Sequence, residues 1–312
     1  MSAQLAFVFP GQGSQKVGML AEMAAEYPII ESTFAEASEV LGYDLWKLVQ
    51  QGPQEDLNLT ERTQPMLLTA SVALWRVWSE KSDAKPALMA GHSLGEWSAL
   101  VCADVVDFKA AVKLVQLRGQ YMQEAVPVGE GAMAAIIGLD DESIAKACAD
   151  AGQGEEVGAV NFNSPGQVVI GGTAGAVDRA IALCKEAGAK RALPLAVSAP
   201  FHTNMMRPAA DKLSANIAET EFRTPIVPIA HNVNAQTETD PEAIKALMIK
   251  QIYAPVLWTS CTQALVAAGV EQVVECGPGK VLSGLCKRID KSLTAFSTET
   301  PEAMSKALAE IG

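Results

Sequence analysis

The segment Gly91-His92-Ser93-Leu94-Gly95 sets a hydroxyl where a nucleophile can work. A short apolar run at residues 87–90 precedes it, and Leu94, Ser98 and Val101 follow at helical spacing. Strand, G-x-S-x-G, helix is the context of a nucleophile elbow. The turn is sharp enough that the residues two before and two after the serine must be small, and Gly91 and Gly95 meet that demand. Ser98 and Ala99 let the following helix pack close. The serine then stands beside a helix N-terminus, whose N–H groups can hold a developing negative charge. A serine hydroxyl attacks poorly until a base takes its proton. The chain has 3 histidines. His92 adjoins Ser93, so its side chain should point elsewhere. His202 and His231 both follow predicted strand ends, and position alone does not choose between them. An α/β-hydrolase would supply its acid between serine and histidine in chain order. Asp104, Asp107 and Asp140 lie there, and none is singled out. A backbone carbonyl could orient the imidazole instead, through its Nδ1–H.

Arg118 falls on the apolar face of its predicted helix, with Ala111, Val115 and Met122. A buried guanidinium requires an anionic partner, since an unpaired charge in a core costs several kcal/mol. An internal Asp or Glu is the ordinary partner; a substrate carboxylate held bidentately is the sharper possibility. Gly11-Gln12-Gly13 is no dinucleotide fingerprint, because Lys16 stands where the third glycine belongs. It is a plain turn or, through its backbone N–H groups, an anion site. Gly277-Pro278-Gly279 carries the same ambiguity.

The elements that must hold these groups read as α/β. Residues 5–9 form a strand ending at Pro10-Gly11. Helical patterns run to about residue 82, with a break at Gly52-Pro53, and Thr63-Gln64-Pro65 opens a helix with proline in its first turn. Residues 107–125 form an amphipathic helix with Phe108, Ala111, Val112, Val115 and Met122 on one face. Residues 127–198 read as an inserted module: strand 131–138, helix 141–151, strands 157–162 and 167–171, helix 174–187, strand 191–197. That βαββαβ order is ferredoxin-like. Alternation then resumes, with a strand at 272–276, and implies a mostly parallel sheet with helices on both faces. The expected division is a catalytic subdomain over 1–126 and 199–312 and a small one over 127–198.

At 312 residues, 49% hydrophobic and 19% charged, the chain can build a large core. A formal charge of −12 argues against nucleic acid and anionic membranes as partners. The 6 cysteines show neither C-x-x-C spacing nor metal-ligand spacing to a histidine, so no metal or other cofactor is expected. Scattered single cysteines read as reduced core residues of a cytoplasmic protein. The N-terminal apolar run lacks a basic flank and is too short for a signal peptide or a membrane span.

These residues together resemble the malonyl-CoA:acyl carrier protein transacylase family of type II fatty acid synthesis. The resemblance rests on residues 7–15 (Phe-Val-Phe-Pro-Gly-Gln-Gly-Ser-Gln), Thr63-Gln64-Pro65, Gly91-His-Ser-Leu-Gly-Glu96, Arg118, residues 161–167 (Asn-Phe-Asn-Ser-Pro-Gly-Gln), Pro200-Phe201-His202, Gln251 and Gly277-Pro-Gly279, and it spans essentially the whole chain. It implies an α/β-hydrolase-like parallel-sheet subdomain with an inserted ferredoxin-like one, in agreement with the pattern above. It implies Ser93 as the acylated nucleophile, His202 as the base, and the Gln251 backbone carbonyl as the group that orients it. The backbone N–H groups of Gln12 and Leu94 would form the oxyanion hole, Arg118 would hold the malonyl carboxylate, and Phe201 and Asn161 would line the substrate pocket. Malonyl-CoA and holo acyl carrier protein are the implied partners, with a monomer expected. Trp97 stands where relatives often have tyrosine and should be tolerated. Phe201 is the size expected beside a malonyl rather than a methylmalonyl group, though one methyl group discriminates by only about 1–3 kcal/mol. Charge clustering offers Lys287, Arg288 and Lys291 as a carrier-protein patch, and Lys190 with Arg191 for the CoA phosphates. The alternatives are another dicarboxylic acyltransferase, a serine thioesterase or a silent carrier-binding scaffold.

Overall fold

The computed structural model describes residues 4–312. Five strands form a parallel sheet: β1 (Gln4–Phe9), β2 (Leu88–Gly91), β7 (Ile229–Ala230), β8 (Val270–Glu275) and β9 (Thr294–Ser297), in the order β7-β2-β1-β8-β9. β1 is buried along Leu5–Phe9, as an apolar run covered by helices on both faces should be. Phe7 meets Trp75 and Trp78 edge-on, at 5.0 and 5.1 Å between ring centroids. After β1 and β2 the chain fills one side of the sheet, and β8 then joins the other side of β1. The topological switch point, where open α/β sheets leave a crevice, therefore lies at the C-terminal ends of β1 and β8, one strand over from β2.

The second sheet is antiparallel: β3 (Gly131–Ile137), β4 (Val157–Ser164), β5 (Gln167–Thr173) and β6 (Arg191–Pro194), ordered β4-β5-β3-β6. In chain order of the module that is 2-3-1-4, the ferredoxin-like arrangement. Helices Asp141–Gly152 and Ala174–Glu186 cover it through a separate core of Ile136, Ile144, Val168, Ile170 and Ile181. β4 is also tied to the large sheet's side. Val256 N donates to Val160 O at 2.8 Å, and Phe162 N to Val256 O at 3.0 Å.

Two elements depart from expectation. The last strand of the module ends at Pro194, not Val197. β6 pairs only with β3, its last bond to that strand runs from Leu195 N to Met133 O at 2.9 Å, and Val197 N then turns back onto Leu195 O at 2.9 Å. The helix expected to open at Thr63-Gln64-Pro65 begins at Thr60, so Pro65 sits inside it. Leu59 O takes both Arg62 N and Thr63 N, at 2.7 and 2.8 Å, which starts the helix a turn early.

Small residues let the ends of β1 and β2 meet. A Cβ on Gly95 would lie 2.0 Å from Phe9 O, and one on Gly91 would lie 2.0 Å from Gly95 C. A Cβ on Gly11 would lie 2.5 Å from His92 O. These obstacles are backbone and cannot swing aside. Gly95→Ala is expected to destabilise the protein by about 3 kcal/mol, read as a lowered denaturation midpoint. An unchanged midpoint would mean the elbow has slack that this packing denies it.

Candidate active site

Ser93 is the tip of the elbow, one residue before helix Leu94–Cys102. Its backbone is left-handed in φ (51°, ψ −107°), the strained turn that an exposed nucleophile requires. Asn232, just past β7, holds the turn from both sides. Its Oδ1 accepts from Ser93 N at 2.8 Å and its Nδ2 donates to Gly91 O at 2.7 Å. Leu94 N opens the helix, and across the crevice Gln12 follows β1. Among the described residues, neither backbone N–H donates to a protein acceptor.

His202 Nε2 lies 2.7 Å from Ser93 Oγ, and its Nδ1 lies 2.9 Å from Gln251 O. A carbonyl can only accept, so Nδ1 carries the proton and Nε2 presents a lone pair to the hydroxyl. Gln251 is the last residue of helix Pro241–Gln251, where carbonyls have no intrahelical donor. His202 is not at a strand end, as expected, but in a tight turn eight residues past Pro194, with φ 63°. His231 is elsewhere: fully buried, with Nδ1 donating to Glu96 Oε1 at 2.7 Å. His92 turns away from Ser93, its Nε2 2.7 Å from Asn163 Oδ1. The three aspartates are not at the site. Asp104 pairs with Arg223 at 2.9 Å, while Asp107 and Asp140 cap helices.

Arg118 is 1% exposed. Its Nη1 donates to Gln64 Oε1 at 2.8 Å, and its Nη2 to Gln251 Oε1 at 2.9 Å and Ser93 Oγ at 3.3 Å. Its Nε has no partner. Among the described residues, no Asp or Glu pairs with it directly; the charge of Glu96 opposes the effect of burial. Burial draws the guanidinium down to about 10, so it remains a cation at neutral pH. His202 is pushed down to about 3, by burial first and the Arg118 charge second, against the pull of the Gln251 carbonyl.

Ser93 and His202 line a cleft of about 860 Å³ together with Gln12, Met133, Asn161 and Phe201, among others. Asn161 and Phe201 are nearly buried there, and Asn161 Oδ1 has no partner. Leu195 to Val197, expected as strand, form part of the rim with Ser198. The basic clusters lie apart: Lys190, Arg191, Lys287, Arg288 and Lys291 are not among the lining residues, and Arg288 Nη1 donates to Gln167 Oε1. Trp97 is fully buried and meets Phe222 edge-on at 6.3 Å. Gln64, Glu96 and Asn232 escaped the sequence reading as participants. Glu96 carried a signal, being a carboxylate in an otherwise apolar elbow helix.

A histidine with a folded pKa of about 3 is neutral throughout the working range. If it is the base, kcat/KM for acylation of Ser93 should show no acidic inflection between pH 8 and pH 5, because this constant reports the free enzyme. An inflection near 6.5 would place the titrating imidazole in a wetter, less cationic setting than this one.

A strained serine elbow, a neutral buried histidine and two open N–H groups beyond the ends of β1 and β2 define the class of enzymes that pass an acyl group through serine. The acyl transferase domain family matches residues 6–301, and the chain belongs to that family. It is 62% identical over 307 residues to the malonyl CoA-acyl carrier protein transacylase of Salmonella typhimurium, covering 98% of this chain and 99% of that one. It is 45% identical over 308 residues to the Bacillus subtilis protein of the same name, covering 98% and 96%. Among solved structures, an acyl carrier protein S-malonyltransferase from Vibrio cholerae superposes with a TM-score of 0.96 at 62% identity, over 98% of this chain and 100% of that one. A malonyl-transacylase solved in complex with its holo type II PKS acyl-carrier protein gives 0.98 at 57%, over 99% and 100%.

Proposed function

We propose that the protein moves a malonyl group from malonyl-CoA to the phosphopantetheine thiol of acyl carrier protein through a malonyl-Ser93 ester, supplying fatty acid biosynthesis. The observation that carries the reading is a buried cation, Arg118 Nη2, 3.3 Å from the nucleophile Ser93 Oγ. An acyl group that brings its own carboxylate supplies the anion this guanidinium lacks; a hydrolase of neutral acyl chains has no use for it. The unpartnered Nε, and the Nη2 hydrogen now aimed at Ser93 Oγ, are free to form a fork for that carboxylate.

Ser93 Oγ attacks the thioester carbonyl while His202 Nε2 takes the hydroxyl proton, and the oxyanion forms against the N–H groups of Gln12 and Leu94. The C–S bond breaks, and CoA leaves with the proton held on His202. In the second half, the carrier's thiol gives its proton to His202 and attacks the ester; Ser93 leaves and recovers the proton. The seated carboxylate also offsets the Arg118 charge that depresses His202, so the base strengthens when the correct acyl group is bound. Met133, Phe201 and Asn161 bound the acyl pocket, and the small subdomain proposed over residues 127–198 supplies its outer wall.

Intact-protein mass after mixing with malonyl-CoA should show one malonyl adduct, mapped to Ser93, stable in buffer and discharged by holo acyl carrier protein. Discharge to water as fast as to carrier would make the protein a thioesterase. No adduct from malonyl-CoA or acetyl-CoA would end the covalent reading.

A further inference from the structure

Behind the elbow lies a sealed polar cluster built around a carboxylate, Glu96, that the proposed chemistry does not use. Glu96, His231, Asn232 and Gln251 are all fully buried. Glu96 Oε1 accepts from His231 Nδ1 at 2.7 Å. Glu96 Oε2 accepts from Gln251 Nε2 at 2.8 Å and from Asn232 N at 3.3 Å. Gln251 Nε2 makes a second bond, to Ser93 O, also at 2.8 Å. A third, longer contact runs to Asn232 Oδ1 at 3.5 Å, and all three acceptors, a carboxylate, a carbonyl and an amide oxygen, demand the NH₂ end of the carboxamide. The oxygen end is thereby forced toward Arg118, where Oε1 accepts from Nη2 at 2.9 Å. Were the amide reversed, its NH₂ would face a guanidinium and its oxygen would face a carboxylate and a carbonyl.

We infer that Glu96 is a positioning residue for substrate choice: it fixes the direction of the Gln251 carboxamide, and through it the orientation in which Arg118 meets the substrate carboxylate. The inference rests on the proposed malonyl reading of the site. A low-dielectric setting makes such a chain strong when complete and costly when one link is wrong. His231 supports the arrangement from the far side. Its Nε2 has no partner among the described residues, so moving the proton there from Nδ1 would break only the bond to Glu96, and a side chain that donates to Nδ1 could take its place. That freedom distinguishes two substitutions. In Glu96→Gln, the new amide oxygen can still accept from Gln251 Nε2 while its NH₂ turns to a His231 that has moved its proton to Nε2. Glu96→Met can offer neither contact.

The test is the ratio of kcat/KM for Ser93 acylation by malonyl-CoA to that by acetyl-CoA, which a merely structural role would leave unchanged. Glu96→Met is expected to lower the ratio at least about tenfold, with Glu96→Gln between it and wild type. Gln251→Met retains the main-chain carbonyl for His202 and should lower the ratio similarly, so the inference stays testable if Glu96→Met does not fold. The Glu96→Met/Gln251→Met double variant should lower it no further than Gln251→Met alone, because the path runs through that amide. A ratio preserved in Gln251→Met, or rates for both thioesters falling in step in every variant, would overturn the inference. A wild type with no preference for malonyl-CoA would instead overturn the proposed function.

Discussion

Replacing His202 with alanine is expected to slow acylation of Ser93 by malonyl-CoA about a thousandfold, within the range that a positioned general base supplies. Among the described residues, the ring is the only side chain whose basic nitrogen reaches Ser93 Oγ, at 2.7 Å, since His92 is engaged with Asn163 and His231 with Glu96. The fold should survive the change. His202 lies on the cleft, so water can enter the space left and bond the freed Gln251 carbonyl. The left-handed backbone at φ 63° costs alanine, which carries no β-branch, about 1–2 kcal/mol at most. Single-turnover mixing with malonyl-CoA, followed by quench and intact mass, reads the rate directly. Partial recovery with added imidazole would locate the defect at the missing base. A loss of less than tenfold would show that another group or solvent takes the proton, and the 2.7 Å contact would then be only structural.

How much of this was legible beforehand depends on the range of the forces involved. The elbow is local: two glycines flanking a serine between an apolar run and a helical one dictate the turn. The ferredoxin-like module is nearly local, because its strands and helices alternate with clear periodicity and short turns. Residues 191–197 misled because their apolar side chains read as strand, while bonding to the one neighbouring strand stops at Leu195 N and Val197 N folds back onto Leu195 O. The start of helix Thr60–Lys81 was missed because proline is tolerated where packing, not propensity, sets the helix. The choice between His202 and His231 was not legible from spacing at all. It depends on helix Pro241–Gln251 delivering a terminal carbonyl to one ring and on Glu96, 135 residues from His231, holding the other. The resemblance to transacylases singled out His202, and the geometry now gives a physical reason.

Arg118 poses the larger question, because a cation sealed below a nucleophile with no carboxylate in contact is a cost unless something repays it. Arg118→Met is expected to lower kcat/KM for acylation by malonyl-CoA by about 10²–10³, the loss typical of truncating one side of a buried charge pair, while acetyl-CoA changes by only a few fold. Methionine fills much of the same volume but leaves Gln64 Oε1 and Gln251 Oε1 without a donor, at about 1–3 kcal/mol of stability for each. Removing the charge should also release His202 upward from about 3, since Arg118 is the second cause of its depression. The acidic limb of the acetyl reaction should therefore move toward neutral pH in the variant. Arg118→Lys should not restore malonyl transfer, because one ammonium cannot serve Gln64, Gln251 and a forked carboxylate together. Equal losses for malonyl-CoA and acetyl-CoA in Arg118→Met, with no movement of the acidic limb, would mean that the guanidinium only props the elbow through Ser93 Oγ. The carboxylate would then have to be read by some other group.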